Sequence, residues 1–408
     1  MFDFSKYPYD FKTHGLNVGG ESMIFHCHHY NTFLQRTILD PDYINPRPIL
    51  IGAAAEVAFS QLKTILPQFP EGNRKKVVEE LYRLSGFGLI DLSGLSEKGG
   101  TIRTSSSHYS MGWKEKFGPS KTPVVYFTTG FLAGAWAVLY GKKLDSIQAE
   151  QTECMSTGAK QDVFVLREGP SNFASFGART QVPSSSVGDD VQADTNVNRM
   201  GITQAITGMP ILGNANGIIP AFGVYLTRMY ADYYNRISFE FESLMMKTVG
   251  EQGREIGQNL LIEAGHVCAF NTFGGIMTSA EWDGLIRPSC ITKEDWVSGM
   301  CSVVNGLGWG EWKVINASRN GATFRVYNDY ESMGFSRMYG KSSRPINYLA
   351  LGGAAGIMDL VYIGNIESKP ELSEDFYRKT FKADGAFQAK VTKSAAMGHP
   401  FTEIEVGR

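Results

Sequence analysis

At 408 residues the chain is long enough for two domains of ordinary size, each with its own core. Its 39 basic and 41 acidic residues nearly cancel and form no Lys/Arg cluster, which excludes a nucleic-acid footprint or an anionic membrane surface and favours a small neutral or apolar partner. Five cysteines with no CxxC pair point to a reducing compartment. The N-terminus lacks a basic stretch followed by an apolar core, and no run of about eighteen apolar residues occurs, so a cytoplasmic location is expected.

Residues 1–20 are aromatic and aperiodic and read as an extended arm. From Glu21, the run ESMIFHCHHYNTFLQRTIL carries apolar residues at Ile24, Phe25, Phe33, Leu34 and Ile38, which predicts a helix with His26, His29 and Tyr30 along one face. It stops at Asp40-Pro41. The segment ILIGAAAEVAFSQLKTIL reads as a closely packed helix broken by Pro67, with Glu56 as its one acidic residue. An amphipathic helix over Asn73 to Ser85 and a hairpin with a Gly-Gly turn in GFGLIDLSGLSEKGGTIRTSSS come next. After SMGW, the run TPVVYFTTGFLAGAWAVLYG predicts a strand end and then a helix, with Gly130, Gly134 and Trp136 placed for close packing on a sheet. DSIQAEQTEC and DVFVLRE alternate as two antiparallel strands joined at Gly158.

Residues 168–216 are rich in Gly, Ser, Asn, Asp and Pro and read as a surface connection. Beyond it, IPAFGVYLTRMYADYYNRISFEFESLMMKTVG is the counterpart of the histidine-bearing helix. EAGHVCAFNTFGGIM is the counterpart of the Glu56 helix, and puts His266 beside the Glu56 position. A helix KEDWVSGMCSVVNGLG and a strand pair EWKVINASRNGATFRVY lead to a second SMGF. Ser110/Ser332, Pro123/Pro345, Gly130/Gly352, Gly134/Gly356 and Tyr140/Tyr362 share an offset of 222 residues. Gln148-Ala149 and Gly158 match Gln388-Ala389 and Gly398 at an offset of 240, so the second copy holds an insertion of about 18 residues around Ser368 to Asp384. Self-similarity at a long period argues for duplication. The expected division is an arm at 1–20, repeat one at 21–167, a connection at 168–216 and repeat two at 217–408.

The helix order, the SMGW segment, the glycine pattern of PVVYFTTGFLAGAWAVLYG and the run AEQTECMSTGA together resemble the small-molecule-binding domain named after 4-vinyl reductase, which is also the ligand sensor of phenol- and xylene-responsive activators. The resemblance implies an α+β fold: two tandem domains, each an antiparallel sheet flanked by helices, pairing as an intrachain pseudo-dimer. It also implies an enclosed apolar pocket. The zinc site of the phenol sensors has no full counterpart, because only Cys154 matches. Val125, Gln151 and Asp162 stand at the other positions; in repeat two Ser394 lies opposite Cys154, and Lys390 and Lys393 lie opposite Glu150 and Glu153. No ATPase module or helix-turn-helix accompanies the domains, and distant relatives include haem-based sensors and vesicle-tethering subunits, so the fold does not fix the function.

Three of the seven histidines fall at positions 26, 28 and 29. Converging imidazoles with a carboxylate from a neighbouring helix are a donor set for Fe, Zn or Cu, so His26, His29, Glu56 and Cys154 are the candidate metal ligands, with an axial haem ligand as a lesser option. A charge at Glu56 inside an Ala/Val/Phe helix calls for a cation, a hydrogen-bonding partner or a raised pKa. The alternative for the histidines is a structural or surface role. His28 and Glu150 are the candidate proton donors or acceptors. Strand alternation places Glu150 and Cys154 on one face and Glu153 on the other, the alternative being solvated carboxylates beside a buried thiol. His108 reads as a turn residue and His266 as a core histidine.

Tyr30, Tyr109, Trp113, Tyr126, Phe127, Phe131 and Trp136 are the aromatics available to line a cavity, with Tyr30, Trp113, Phe127, Phe131 and Trp136 as the binding candidates. The leading expectation is a binder of a small apolar or aromatic molecule in repeat one, beside a metal if one is held. It has no nucleic-acid or membrane partner, and homodimerisation is left open. A metal- or haem-dependent enzyme, and a carrier or assembly subunit, are the competing classes.

Overall fold

The protein is described by a computed structural model covering residues 1–408. Strand β1 (Leu16–Val18) turns through Gly19-Gly20, both at positive φ, into β2 (Glu21–Cys27), and α1 (His28–Leu39) follows directly. The helix expected from Glu21 is therefore strand for its first seven residues. Met23 to Cys27 are buried on both strand faces, and an apolar run buried all round carries no period that separates strand from helix.

Next come α2 (Arg47–Ile65), α3 (Arg74–Leu84), β3 (Leu95–Ser96) and β4 (Gly99–Thr104). The hairpin turns at Glu97-Lys98, and Gly99-Gly100 begin β4 instead of forming the turn. Helices α4 (His108–Phe117) and α5 (Tyr126–Tyr140) precede β5 (Ile147–Glu153) and β6 (Asp162–Glu168), which close around Gly158 as expected. Residues 171–198 contain neither helix nor strand, but α6 (Arg199–Gly208), which the composition did not announce, follows with Asn198 as its N-cap.

The second half begins with β7 (Ile219–Ala221), β8 (Val224–Tyr230) and α7 (Ala231–Val249). Helix α8 (Glu251–Cys268) runs through a π turn into α9 (Gly274–Thr278), and α10 (Ala280–Leu285) and α11 (Lys293–Gly306) follow. Strands β9 (Glu311–Ser318) and β10 (Gly321–Tyr327), helices α12 (Tyr330–Tyr339), α13 (Tyr348–Met358) and α14 (Glu374–Phe381), and strands β11 (Gln388–Lys393) and β12 (Thr402–Gly407) complete the chain. Helix α14 lies in the inserted segment.

The fold is α+β, with three antiparallel four-stranded sheets flanked by helices. The first-half sheet β3-β4-β6-β5 and the second-half sheet β9-β10-β12-β11 have the same strand order. The third, β1-β2-β8-β7, takes two strands from each half, with Phe25 opposite Arg228 at its middle. One continuous apolar cluster extends through both halves.

The glycines at the 222-residue offset work against a helix, where packing on a sheet was expected. A Cβ at Gly130 would lie 2.0 Å from the Ile51 carbonyl oxygen of α2, and one at Gly352 would lie 2.4 Å from the Ile262 oxygen of α8. Only glycine permits these crossings. Two helices, Arg47–Gln68 and Glu251–Thr278, are long and apolar enough to cross a membrane by length and composition, and each is mostly buried within the fold.

Candidate functional site

The N-terminal arm lies against the central sheet, with Phe2 and Phe4 buried and the Tyr9 hydroxyl donating to the Asn305 carbonyl. It divides a cleft into two chambers that share Pro8, Leu16 and Gly308 as a common wall. The larger, about 650 Å³, is polar. Arg179 donates from Nη1 to Glu21 (2.8 Å) and to Asp232 (2.7 Å), and Arg337 donates from Nε to Asp232 (3.1 Å). Arg236 holds Glu56 by two bonds of 3.0 and 2.9 Å, and Arg179 Nε lies 3.6 Å from the same carboxylate. Burial alone would raise the pKa of Asp232, but Arg337 and Arg179 outweigh it and hold the carboxyl below its ordinary range. Burial prevails at Glu21, whose pKa is raised despite Arg179. Three guanidinium groups thus face three carboxylates, while Asp10 on the chamber wall has no cation and accepts from the Lys12 N–H and the Thr13 hydroxyl.

The smaller chamber, about 290 Å³, is lined mainly by apolar side chains, among them Phe4, Tyr7, Met23, Phe25 and Met209, with α6 and the segment after it as one side. Its one ionised group is Arg228 of β8. The guanidinium carbon lies 4.6 Å from the centre of the Phe4 ring and 4.4 Å from that of Phe25. Nη2 donates to the Ile211 carbonyl at 3.4 Å, Nε has no partner, and no carboxylate pairs with the group. Burial alone lowers its pKa to about 10.

The candidate metal ligands are not brought together. No three His, Cys, Asp or Glu side chains are gathered to hold an ion. His26, on β2 and not on a helix with His29, is fully buried between neighbours, its ring stacked 4.4 Å from both Tyr30 and Trp309. Its Nδ1 is 3.9 Å from the Cys268 sulfur and its Nε2 has no partner. Burial holds its pKa well below the ordinary value. Cys27 meets the Thr272 hydroxyl at 2.8 Å.

His28 and His29 open α1. His28 Nδ1 accepts the Tyr225 N–H (3.1 Å) and its Nε2 lies 3.5 Å from Glu115, while the two imidazole rings sit 3.8 Å apart. Burial lowers both pKa values, that of His29 to about 2. Glu56 has the cation its sequence context called for, and that cation is Arg236. His108 is no turn residue: it begins α4, fully buried, with Nε2 2.9 Å from the Asn31 amide, its pKa lowered to about 3 by burial. His266 is half-buried beside Glu263 at 3.3 Å.

The expected pairing of Glu150 with Cys154 on one strand face also fails. A bulge between Gln151 and Glu153 shifts the register, leaving Glu150 and Glu153 exposed and Cys154 buried. Glu150 pairs with Arg167 at 2.9 Å and lines neither chamber. Cys154 lies 3.0 Å from Ser156 Oγ. Around it the positions of the zinc pattern form a hydrogen-bonded knot: Asp162 accepts from Ser110 Oγ (2.9 Å) and the Met155 N–H (2.7 Å), and Gln151 accepts the Val125 N–H (2.9 Å). The second half repeats the knot with different residues at the same offsets. Asn347 donates to Asp329 (2.7 Å), Ser394 donates to Asn347 (3.0 Å), and Thr402 donates to Asp329 (2.7 Å).

The aromatic candidates are largely packing. Phe127, Phe131 and Trp136 are fully buried on α5, with Phe127 against Phe87 and Tyr233, and the Trp136 indole donating to the Ser96 carbonyl. Trp113 packs edge-on against Phe117. Tyr30 stacks on His26. The apolar chamber instead uses the arm, β2, β8 and α6. Its signal in the sequence was Arg228, the one charge in the apolar strand VYLTRMY.

No family model and no curated protein matches the chain. Among solved structures, the phenol-responsive sensory domain of the transcription activator PoxR with phenol is similar at a TM-score of 0.32 and 16% identity, over 38% of this chain and 80% of that one. A likeness at that level carries no argument about fold or ligand.

Proposed function

We propose that this protein binds a small apolar or aromatic molecule, and that the ligand occupies the 290 Å³ chamber between the N-terminal arm, the central sheet and α6. The observation that carries the reading is the chamber itself, a preformed concavity with aromatic and aliphatic walls and one charged group, the usual make-up of a small-molecule site. Its lining contains no Asp, Glu, His or Cys. The lining does offer the hydroxyls of Ser5, Tyr7, Tyr9 and Thr207, but no carboxylate or imidazole in that lining stands by to take their protons, which supports binding over acid–base or nucleophilic chemistry. The larger chamber is the poorer candidate, because its guanidinium groups are already paired with carboxylates and a ligand would have to displace them.

The test is a thermal-shift screen of the full chain with small aromatic molecules, repeated on Met209→Trp. Met209 is half-buried on the chamber wall, so the larger ring fills space without entering the core. Ligands should raise the melting temperature of the wild type and leave the variant unmoved. Equal shifts in both proteins, or none in either, would overturn the assignment.

A further inference from the structure

The arginines around the two chambers separate into two kinds. Arg179, Arg236 and Arg337 each hold a carboxylate. Arg228, half-buried like Arg179 and Arg337, holds none. Its guanidinium has one protein acceptor, the Ile211 carbonyl at 3.4 Å, and its Nε is buried without a partner. The rings of Phe4 and Phe25 stabilise the cation through their π faces, yet accept none of its N–H groups as an oxygen would. For folding alone, an apolar side chain of similar length would serve better at this strand position, since a buried charge without a counter-ion is unfavourable.

A guanidinium cannot escape that cost by losing its proton at neutral pH, as a buried lysine or histidine does. It lines the apolar chamber, directly across the sheet from Phe25. We infer that Arg228 is an anion anchor and that the chamber's ligand is a carboxylic acid with an aromatic or aliphatic body. The inference rests on the chamber being the ligand site.

Planar forked donors match a carboxylate two by two. A single cation in an apolar wall balances one negative charge. A phosphate dianion would bring a second, uncompensated charge into the same enclosure, so the monoanionic carboxylate is the class that fits.

The experiment titrates the full chain calorimetrically at neutral pH with 3-phenylpropanoate and with its neutral isostere 3-phenylpropanamide, on wild type, Arg228→Met and Arg228→Lys. Charge-assisted pairing should make the acid bind wild type at least about tenfold more tightly than the amide. The preference should vanish in the Met variant, through loss of acid binding with amide binding little changed, and persist in part in the Lys variant.

Equal binding of acid and amide to wild type would overturn the anion anchor and leave the chamber as an apolar site. Failure of both compounds to bind wild type would overturn the anchor, and failure of the neutral aromatics in the screen as well would bring down the chamber assignment with it. An acid preference kept in Arg228→Met, or a Met variant that does not fold, would assign Arg228 another role and also overturn the inference.

Discussion

The two chambers of the cleft lie on either side of one stretch of N-terminal arm and treat buried cations in opposite ways. In the polar chamber every guanidinium is matched by a carboxylate drawn from a distant part of the chain: Glu21 with Arg179, Glu56 with Arg236, Asp232 with Arg337. These pairs join the first half, the connection and the second half. In the apolar chamber Arg228 has two phenylalanine rings and no counter-ion. The difference teaches that the larger and more polar space is a clasp between segments, while the smaller one retains an unmet interaction. The buried histidines show a third solution, since an imidazole without a partner stays neutral.

That third solution supplies the largest expected effect. Burial lowers the pKa of His14, His26, His28, His29 and His108. Below the unfolded value of about 6.5, the unfolded chain binds protons that the folded chain refuses, so stability is lost as pH falls. Each histidine contributes up to about 1.4 kcal/mol per pH unit. The loss begins near pH 6.5 and continues toward the folded values, about 3 for His108 and about 2 for His29. Between pH 7.5 and 5.5 the five histidines together should therefore cost the folded state several kcal/mol, offset in part by the buried carboxyls of Glu331 and Asp359, which burial raises to about 8 and about 7. Denaturant unfolding of wild type and His108→Gln over that range isolates the histidine part, the variant losing about 1 kcal/mol less. Equal losses in the two proteins would contradict the neutral, enclosed placement of His108.

Breaking the clasp comes next. Asp232→Ala leaves Arg179 and Arg337 short of a counter-charge in a buried setting and should cost about 3–5 kcal/mol of unfolding free energy. A change below about 1 kcal/mol would put the polar chamber in the class of weak surface pairs. The matching substitution in the other chamber should be nearly silent. Arg228→Met removes an unpaired charge and keeps the side-chain length, so its stability should stay within about 1 kcal/mol of wild type or exceed it. Smallest of all is Glu150→Gln, which removes an exposed pair with Arg167 and should shift stability by less than about 0.5 kcal/mol. A large effect there would reopen a role for Glu150 that its exposure does not support.

Much of the architecture was legible because it rests on local signals that occur twice. The SMGW and SMGF helices, the glycine-bearing helices after them and the closing strands around Gly158 and Gly398 all appear where the offsets put them. The site was less legible, for reasons that are physical. Met23 to Cys27 are buried on both faces, so strand and helix share one apolar pattern, and reading helix put His26 on the same face as His29. One bulge residue inverted the strand parity that linked Glu150 to Cys154. Glu56 announced that it needed a cation, but Arg236 lies 180 residues away. Arg228 was visible as a lone charge in an apolar strand. Its lack of a partner is a property of the tertiary structure, and no single segment carries it.

The central claim is that the apolar chamber is a ligand site, and calorimetric titration of wild type and Met209→Trp with 3-phenylpropanoate tests it most directly. The account predicts saturable binding at one molecule per chain in the wild type and none in the variant, whose added ring occupies the chamber. Binding of the same strength in both proteins would contradict it.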